Sequence, residues 1–147
     1  AVDVKHCCGV GYAILDGGLH QLKYDGQLAG MQIPGITHLK AEADGGYRIA
    51  DHSGETVNDS GADKYTLCGS LCTTMDVLAR NVSLPGLEEG DMLIFHETGA
   101  YSVTEGMAAF LSRDLPAVWH LRADGSLVKV RSRAETFSWN CPDTEGK

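Results

Sequence analysis

The sequence predicts a mainly β fold, a Greek-key β-barrel or sandwich with one or two short helices. Three observations carry this expectation. Short apolar segments recur between turn signals. Glycine is abundant, 18 of 147 residues, against a typical share of about 7%. Only two segments carry helix signals. The length suits one domain with its own core and falls short of a complete (β/α)8 barrel, which needs about 250 residues.

Taken in order, Val4-Lys5 opens a strand, and residues 10–15 form an apolar strand that ends at Asp16-Gly17-Gly18. Residues 24–35 hold Gly26, Gly30, Pro34 and Gly35 and read as loop. Residues 36–40 and 47–52 read as strands joined through Asp44-Gly45-Gly46. Residues 53–63 are small and polar, a surface loop. Lys64 to Cys68 is strand-like, and Cys72 to Arg80 suits two helical turns. A connector at 84–91 feeds Met92-Leu93-Ile94-Phe95, whose continuous apolar character predicts a fully buried strand. Ser102-Val103-Thr104-Glu105 has the pattern of a capping box and starts a helix to about Leu111. Residues 117–121 and 126–131 flank Ala123-Asp124-Gly125 as a hairpin, with Val128 and Val130 inward and Lys129 and Arg131 outward. The segment from Cys141 to Lys147 is expected to fray.

Twelve Lys and Arg against twenty Asp and Glu give a net charge of −8. Such a chain repels phosphate backbones, so no nucleic-acid partner is expected. No apolar stretch approaches the roughly 20 residues of a membrane span, so no membrane association is expected. The five cysteines (7, 8, 68, 72, 141) show neither disulfide nor zinc spacing. Reduced thiols, a cytoplasmic location and no metal site are expected. The start lacks an initiator Met and any signal-peptide pattern, which suggests a fragment or a processed chain.

Common catalytic templates fail. Gly9-Val10-Gly11 lacks the third glycine of a nucleotide fingerprint, and no phosphate loop, nucleophile elbow or zinc-protease motif occurs. Two segments remain. In Gly69-Ser70-Leu71-Cys72-Thr73-Thr74-Met75-Asp76, a cysteine at a helix start would have its thiolate stabilised by the helix dipole, or it is a packed inert thiol. In Gly90 to Tyr101, a strand delivers Gly99-Ala100-Tyr101 to a helix start where amides and a phenol can meet an anion, or the tyrosine packs over the strand end.

Taken together these segments resemble the C-terminal domain of the fold-type III pyridoxal-phosphate-dependent decarboxylases, which include the diaminopimelate, ornithine and arginine enzymes. The family's blocks G-P-x-C-x-S-x-D, L-P-x-L-x-x-G-D and G-A-Y match Gly69–Asp76, Leu84–Asp91 and Gly99–Tyr101 in the same order. Asp16-Gly17-Gly18 and Arg133-Ala134-Glu135-Thr136 match as well. The resemblance implies that Cys72 reaches across a dimer interface toward the cofactor and takes part in proton transfer. It implies that Tyr101, with Gly99 and Ala100, binds the phosphate of pyridoxal 5'-phosphate, and that Asp76 supports the Cys72 loop.

It further implies an N-terminal (β/α)8 barrel as partner, carrying the cofactor lysine, with a homodimer as the assembly and a small amino acid as substrate. On this reading residues 1–147 are one C-terminal β domain, inactive alone. Thr73 stands where the diaminopimelate and ornithine enzymes place an acidic residue against the substrate's distal ammonium, a contact worth roughly 1.5–3 kcal/mol. Ser70 replaces the block's proline, and no arginine follows Asp16-Gly17-Gly18. These departures leave open a decarboxylase of a polyamine-type or carrier-bound substrate. A stand-alone β-barrel that binds a small anion, with Cys72 merely packed, is the rival from another class.

Overall fold

Cys8 and Gly9 take left-handed φ values of 52° and 80°, the two-residue turn whose twist suits a hairpin. That turn joins β1 (Asp3–Cys7) to β2 (Val10–Ile14) in an antiparallel pair. In the computed structural model, which describes residues 1–50 and 63–142, seven further strands follow in chain order. They are β3 (Ile36–Ala41), β4 (Tyr47–Ile49), β5 (Lys64–Cys68), β6 (Val77–Ser83), β7 (Met92–Phe95), β8 (Val118–Leu121) and β9 (Leu127–Arg131), after β1 and β2.

The strands form three sheets of order β1-β2-β5-β6, β4-β3-β7 and β8-β9. The chain leaves the first sheet after β2, builds part of the second, returns for β5 and β6, and crosses again for β7. Strands β2 and β5 run parallel, with Ala13 opposite Leu67, both fully buried. At Gly11 a side chain would meet the Lys64 carbonyl and the Tyr65 ring at 2.7 Å, so only glycine admits that pairing.

The core lies between the first two sheets. Leu15, Leu19, Leu67, Leu71, Leu78, Leu84 and Leu87 are buried, and Ile36, Leu93 and Phe95 of the second sheet pack against them. The mainly β expectation holds, in sandwich form: among the described residues the ladders do not close into a barrel.

Four expectations need correction. Residues 72–76 are loop, and Val77–Ser83 is a strand, not a helix. The Asp76 side chain accepts the Leu71 N–H at 2.7 Å, and such side-chain bonding to the backbone competes with a helical ladder. Strand β7 is one-faced: Met92 and Ile94 are 44% and 40% exposed, while Leu93 and Phe95 face the core. Apolar character alone cannot distinguish one buried face from two.

Among the described residues no α-helix follows Ser102. Met107 donates to the Leu19 carbonyl at 3.0 Å, and Glu105 pairs with Lys23 at 2.8 Å, so the capping residues serve other contacts. The short helices are 3₁₀ turns at Phe110–Ser112 and Phe137–Asn140. In the β8–β9 hairpin, Val130 is 59% exposed. A register shift between Val118 and Trp119 breaks the alternation. The loop expected at 53–63 and the frayed tail fall largely on 53–62 and 143–147, outside the described residues.

Tyr24 ties the 24–35 loop to β6. Its buried hydroxyl donates to the Leu78 carbonyl, and burial pushes the phenol's pKa up. The Gln27 amide reinforces the tie by accepting from the Tyr24 N–H at 3.1 Å and donating to the Val77 carbonyl at 3.3 Å. A Tyr24→Phe chain keeps the ring and loses one bond. It should unfold in urea with a loss of about 1–2 kcal/mol at unchanged slope.

Candidate functional site

Cys72 sits on a loop that folds around one carboxylate. Asp76 is 2% exposed, and its two oxygens accept the N–H groups of Leu19 and Leu71, each at 2.7 Å. The backbone closes the loop through Gly69 N–H to the Asp76 carbonyl at 2.8 Å and Thr73 N–H to the Leu71 carbonyl at 2.8 Å. Gly18 and Gly69 leave room for the carboxylate: a Cβ would stand 2.6 Å and 2.2 Å from its Oδ2. The block's glycine and aspartate are therefore complementary halves of one packing arrangement.

This clamp holds Thr73 half-buried and leaves the Cys72 thiol exposed. The loop also docks on the Asp16–Gly18 turn. Ser70 donates its N–H to the Gly17 carbonyl at 2.8 Å and its hydroxyl to the Asp16 carbonyl at 3.0 Å. Because no helix begins at Cys72, the expected helix-dipole stabilisation of its thiolate has no structural basis.

The second segment also bonds to residues 17–23. Gly99 takes φ 86°, Ala100 is exposed, and Tyr101 is 69% exposed at the tip of a turn. The Glu105 and Thr104 N–H groups close that turn on the Tyr101 carbonyl at 2.9 and 3.0 Å. Turn amides thus replace the helix start expected here. Lys23 N–H donates to the Ser102 carbonyl at 2.9 Å, and Met107 N–H to the Leu19 carbonyl at 3.0 Å.

Leu19 therefore anchors both segments, its N–H on Asp76 and its carbonyl on Met107. The Cys72 loop and the Tyr101 turn are held by the same stretch of backbone, with Cys72 and Tyr101 exposed. A cavity of about 250 Å³ borders the first segment, lined by Thr74 and Met75 with Tyr24, Gln27 and Ile33. A larger one, about 350 Å³, lies by Asp16, Gln21 and Asp91 and includes none of the six expected site residues.

Two features escaped the sequence reading. His20, 1% exposed, has no hydrogen-bond partner for its Nδ1 among the described residues. Burial first, then the charge of Arg113, lowers its pKa below the usual 6.5 against the opposing pull of Asp76. Arg113 donates to Ser70 Oγ at 2.9 Å and so joins the Cys72 loop. Neither position carries a local signal. No group of three or more His, Cys, Asp or Glu is arranged to hold a metal among the described residues.

The Leu84–Asp91 block builds a polar cluster between β3 and β7. Asp91, 3% exposed, accepts from His38 Nε2 at 2.7 Å, Lys40 at 3.0 Å, and the N–H groups of Glu88 at 2.9 Å and Ala41 at 3.1 Å. Burial works against its ionisation, but these donors outweigh it and bring its pKa from 3.8 to about 2. The cluster fixes the connector 84–91 to the sheet.

Residues 3–99 match a family profile described as pyridoxal-dependent decarboxylase, C-terminal sheet domain. That match contains Cys72, Thr73 and Asp76 and ends at Gly99, before Tyr101. The chain is 34% identical over 122 residues to the 2-((L-alanin-3-ylcarbamoyl)methyl)-2-hydroxybutanedioate decarboxylase of Staphylococcus aureus, covering 82% of this chain and 28% of that protein. A diaminopimelate decarboxylase of Methanothermobacter thermautotrophicus is 38% identical over 80 residues, 54% of this chain and 18% of that one. The L-glutamyl-(BtrI acyl-carrier protein) decarboxylase of Niallia circulans is 27% identical over 125 residues, 83% of this chain and 26% of that protein. A crystal structure of diaminopimelate decarboxylase shares the fold with a TM-score of 0.71 at 24% identity, over 94% of this chain and 31% of that one. The chain thus spans under a third of the length of each of these proteins. The ordered blocks, the sheet fold and the profile match agree: the chain belongs to the pyridoxal-dependent decarboxylases, as their C-terminal sheet domain.

Proposed function

We propose that this domain completes the active site of an amino-acid decarboxylase, supplying Cys72 and Tyr101 to a cofactor held by a (β/α)8 barrel domain across the interface of a dimer. One observation carries the reading: the Cys72 loop is clamped from within by Asp76 while the thiol itself is exposed. A thiol held rigidly and pointed away from its own core suits contact with another unit.

The residues fit pyridoxal phosphate as a contributing half-site. Tyr101, exposed at a turn, offers a phenolic donor to the phosphate, and the open backbone at Gly99, with no atom near a would-be Cβ, admits a close ligand. The cofactor, when bound, supplies the electron sink that lets the carboxylate leave as carbon dioxide. Cys72 then holds or delivers the proton that replaces it, a task open to an exposed thiol held in a fixed loop. Thr73 lines the substrate end of the loop without a charge.

The test uses the full-length polypeptide that carries this domain. Cys72→Ser should lower kcat about 10²-fold with the melting temperature unchanged, since the thiol is exposed. Unaltered turnover would remove Cys72 from the reaction. The 147-residue chain alone should release no carbon dioxide from any amino acid; release by the chain alone would contradict the half-site reading.

A second point concerns the substrate. Thr73 removes the charge that would pair with a free distal ammonium. Two relatives that align over four-fifths of this chain are named for an amino acid amide-linked to a hydroxybutanedioate and for a carrier-bound glutamyl group. Thr73 and the first of these names support an amino acid with an acylated far end over free diaminopimelate.

A further inference from the structure

Arg113 is exposed, yet it is held at both ends. Its carbonyl accepts the hydroxyl of Thr136, a fully buried residue, at 2.9 Å, and its Nη2 donates to Ser70 Oγ at 2.9 Å. The two residues before it, Leu111 and Ser112, take left-handed φ values of 58° and 52°. That backbone is unfavourable for both residue types and is braced by Asn140, whose side chain donates to the Ala109 carbonyl at 3.2 Å and to Ser112 Oγ at 2.9 Å.

An arginine side chain loses considerable rotamer freedom when fixed, and an ion pair commonly offsets that loss. Here there is none among the described residues. The adjacent Asp114 pairs with Arg133 at 2.8 Å instead. In a chain of net charge −8, a guanidinium whose side-chain contact among the described residues is one neutral hydroxyl has the donors to take a carboxylate. Its partner Ser70 lies two positions before Cys72, on the same clamped loop.

We propose that Arg113 reads a carboxylate on the far end of the substrate, so that the preferred substrate is an amino acid whose acyl tail is anionic. This rests on the acylated-substrate reading above and adds the charge of the tail. A planar fork matches a carboxylate in two parallel bonds, and Ser70 sets the plane of that fork. Arg113 is a specificity residue: it touches the tail, not the reacting carbon.

The experiment uses the full-length enzyme and two probes, the N3-succinyl derivative of L-2,3-diaminopropionate and the methyl ester of its succinyl carboxyl group. The intact enzyme should favour the free acid over the ester by about 10- to 100-fold in kcat/KM. Arg113→Gln should abolish that preference, mainly through KM for the acid, and lower kcat/KM for the ester far less than for the acid. Arg113→Lys should restore only part of it, because a point charge lacks the fork. Equal use of acid and ester by the intact enzyme, or equal loss on both in Arg113→Gln, overturns the assignment while the acylated-substrate reading stands. Turnover of diaminopimelate with neither probe accepted overturns that reading, and the assignment with it.

Discussion

An Asp91→Ala chain is expected to lose about 3–5 kcal/mol of stability, the cost of breaking a buried, charge-assisted network by removing one partner. The carboxylate accepts four hydrogen bonds, from His38, Lys40, Glu88 N–H and Ala41 N–H. Alanine leaves both amides without their acceptor and places the Lys40 ammonium, whose side chain is 18% exposed, beside a cavity. Burial alone would lower the Lys40 pKa, but Glu88 and Asp91 together raise it, so the Asp91 part of that support disappears. For a chain of this size the melting temperature should fall by roughly 10 °C or more. Urea unfolding measures the loss directly. A fall below about 1 kcal/mol would show the network to be peripheral.

The same carboxylate has a pH signature. Its pKa is lower folded, about 2, than the ordinary 3.8. A group depressed in this way stabilises the fold above about pH 4, and the contribution drains away as pH falls toward 2. The amount is about 2 kcal/mol, from a shift of nearly two units at 1.36 kcal/mol per unit. The gap between the intact chain and Asp91→Ala should therefore narrow as the pH drops from 5 to 2. A constant gap would mean that the hydrogen bonds do not depend on the charge.

What could be read in advance depended on distance along the chain. Strand β5 at Lys64–Cys68 and the turn at Asp44-Gly45-Gly46 were legible because their signals are local. The apparent capping box misled because Glu105 is claimed by Lys23, 82 positions away. The helix expected at Cys72–Arg80 failed because Asp76 bonds to Leu19, 57 positions away. The order of the blocks identified the Cys72 loop and the Tyr101 turn, but nothing in either block announces that Leu19 joins them. Arg113 was silent for the same reason: its meaning comes from Ser70, 43 positions away. Gly18 was visible as a turn residue and Gly69 as the first residue of its block, but neither takes a positive φ. Their absent side chains make room for a carboxylate, which only the packing reveals.

That packing makes Asp76→Ala the second large expected effect, about 3–5 kcal/mol. Each of its two bonds joins a carboxylate to a buried N–H, at about 1.5–3 kcal/mol apiece, and both donors, Leu19 and Leu71, belong to core residues. Asp76→Asn should recover less than half, because the amide keeps one acceptor and turns an NH2 group toward the other donor. Gly69→Ala attacks the same contact from the opposite side. Its Cβ would stand 2.2 Å from Oδ2, and a side chain 2% exposed has nowhere to move, so a loss of about 1–3 kcal/mol follows. The two substitutions must not add. Once Asp76 is alanine the carboxylate that Gly69→Ala would strike is gone, so the double variant should be less destabilised than the sum by about 1–2 kcal/mol. Simple additivity would show that Gly69 is required for some reason other than clearance. On the role proposed for Cys72, both single variants in the full-length polypeptide should also lower kcat at temperatures where the fold persists, because the loop that carries the thiol has lost its clamp. A Cys72→Ser background should be insensitive to that further change, since the thiol being aimed is already absent.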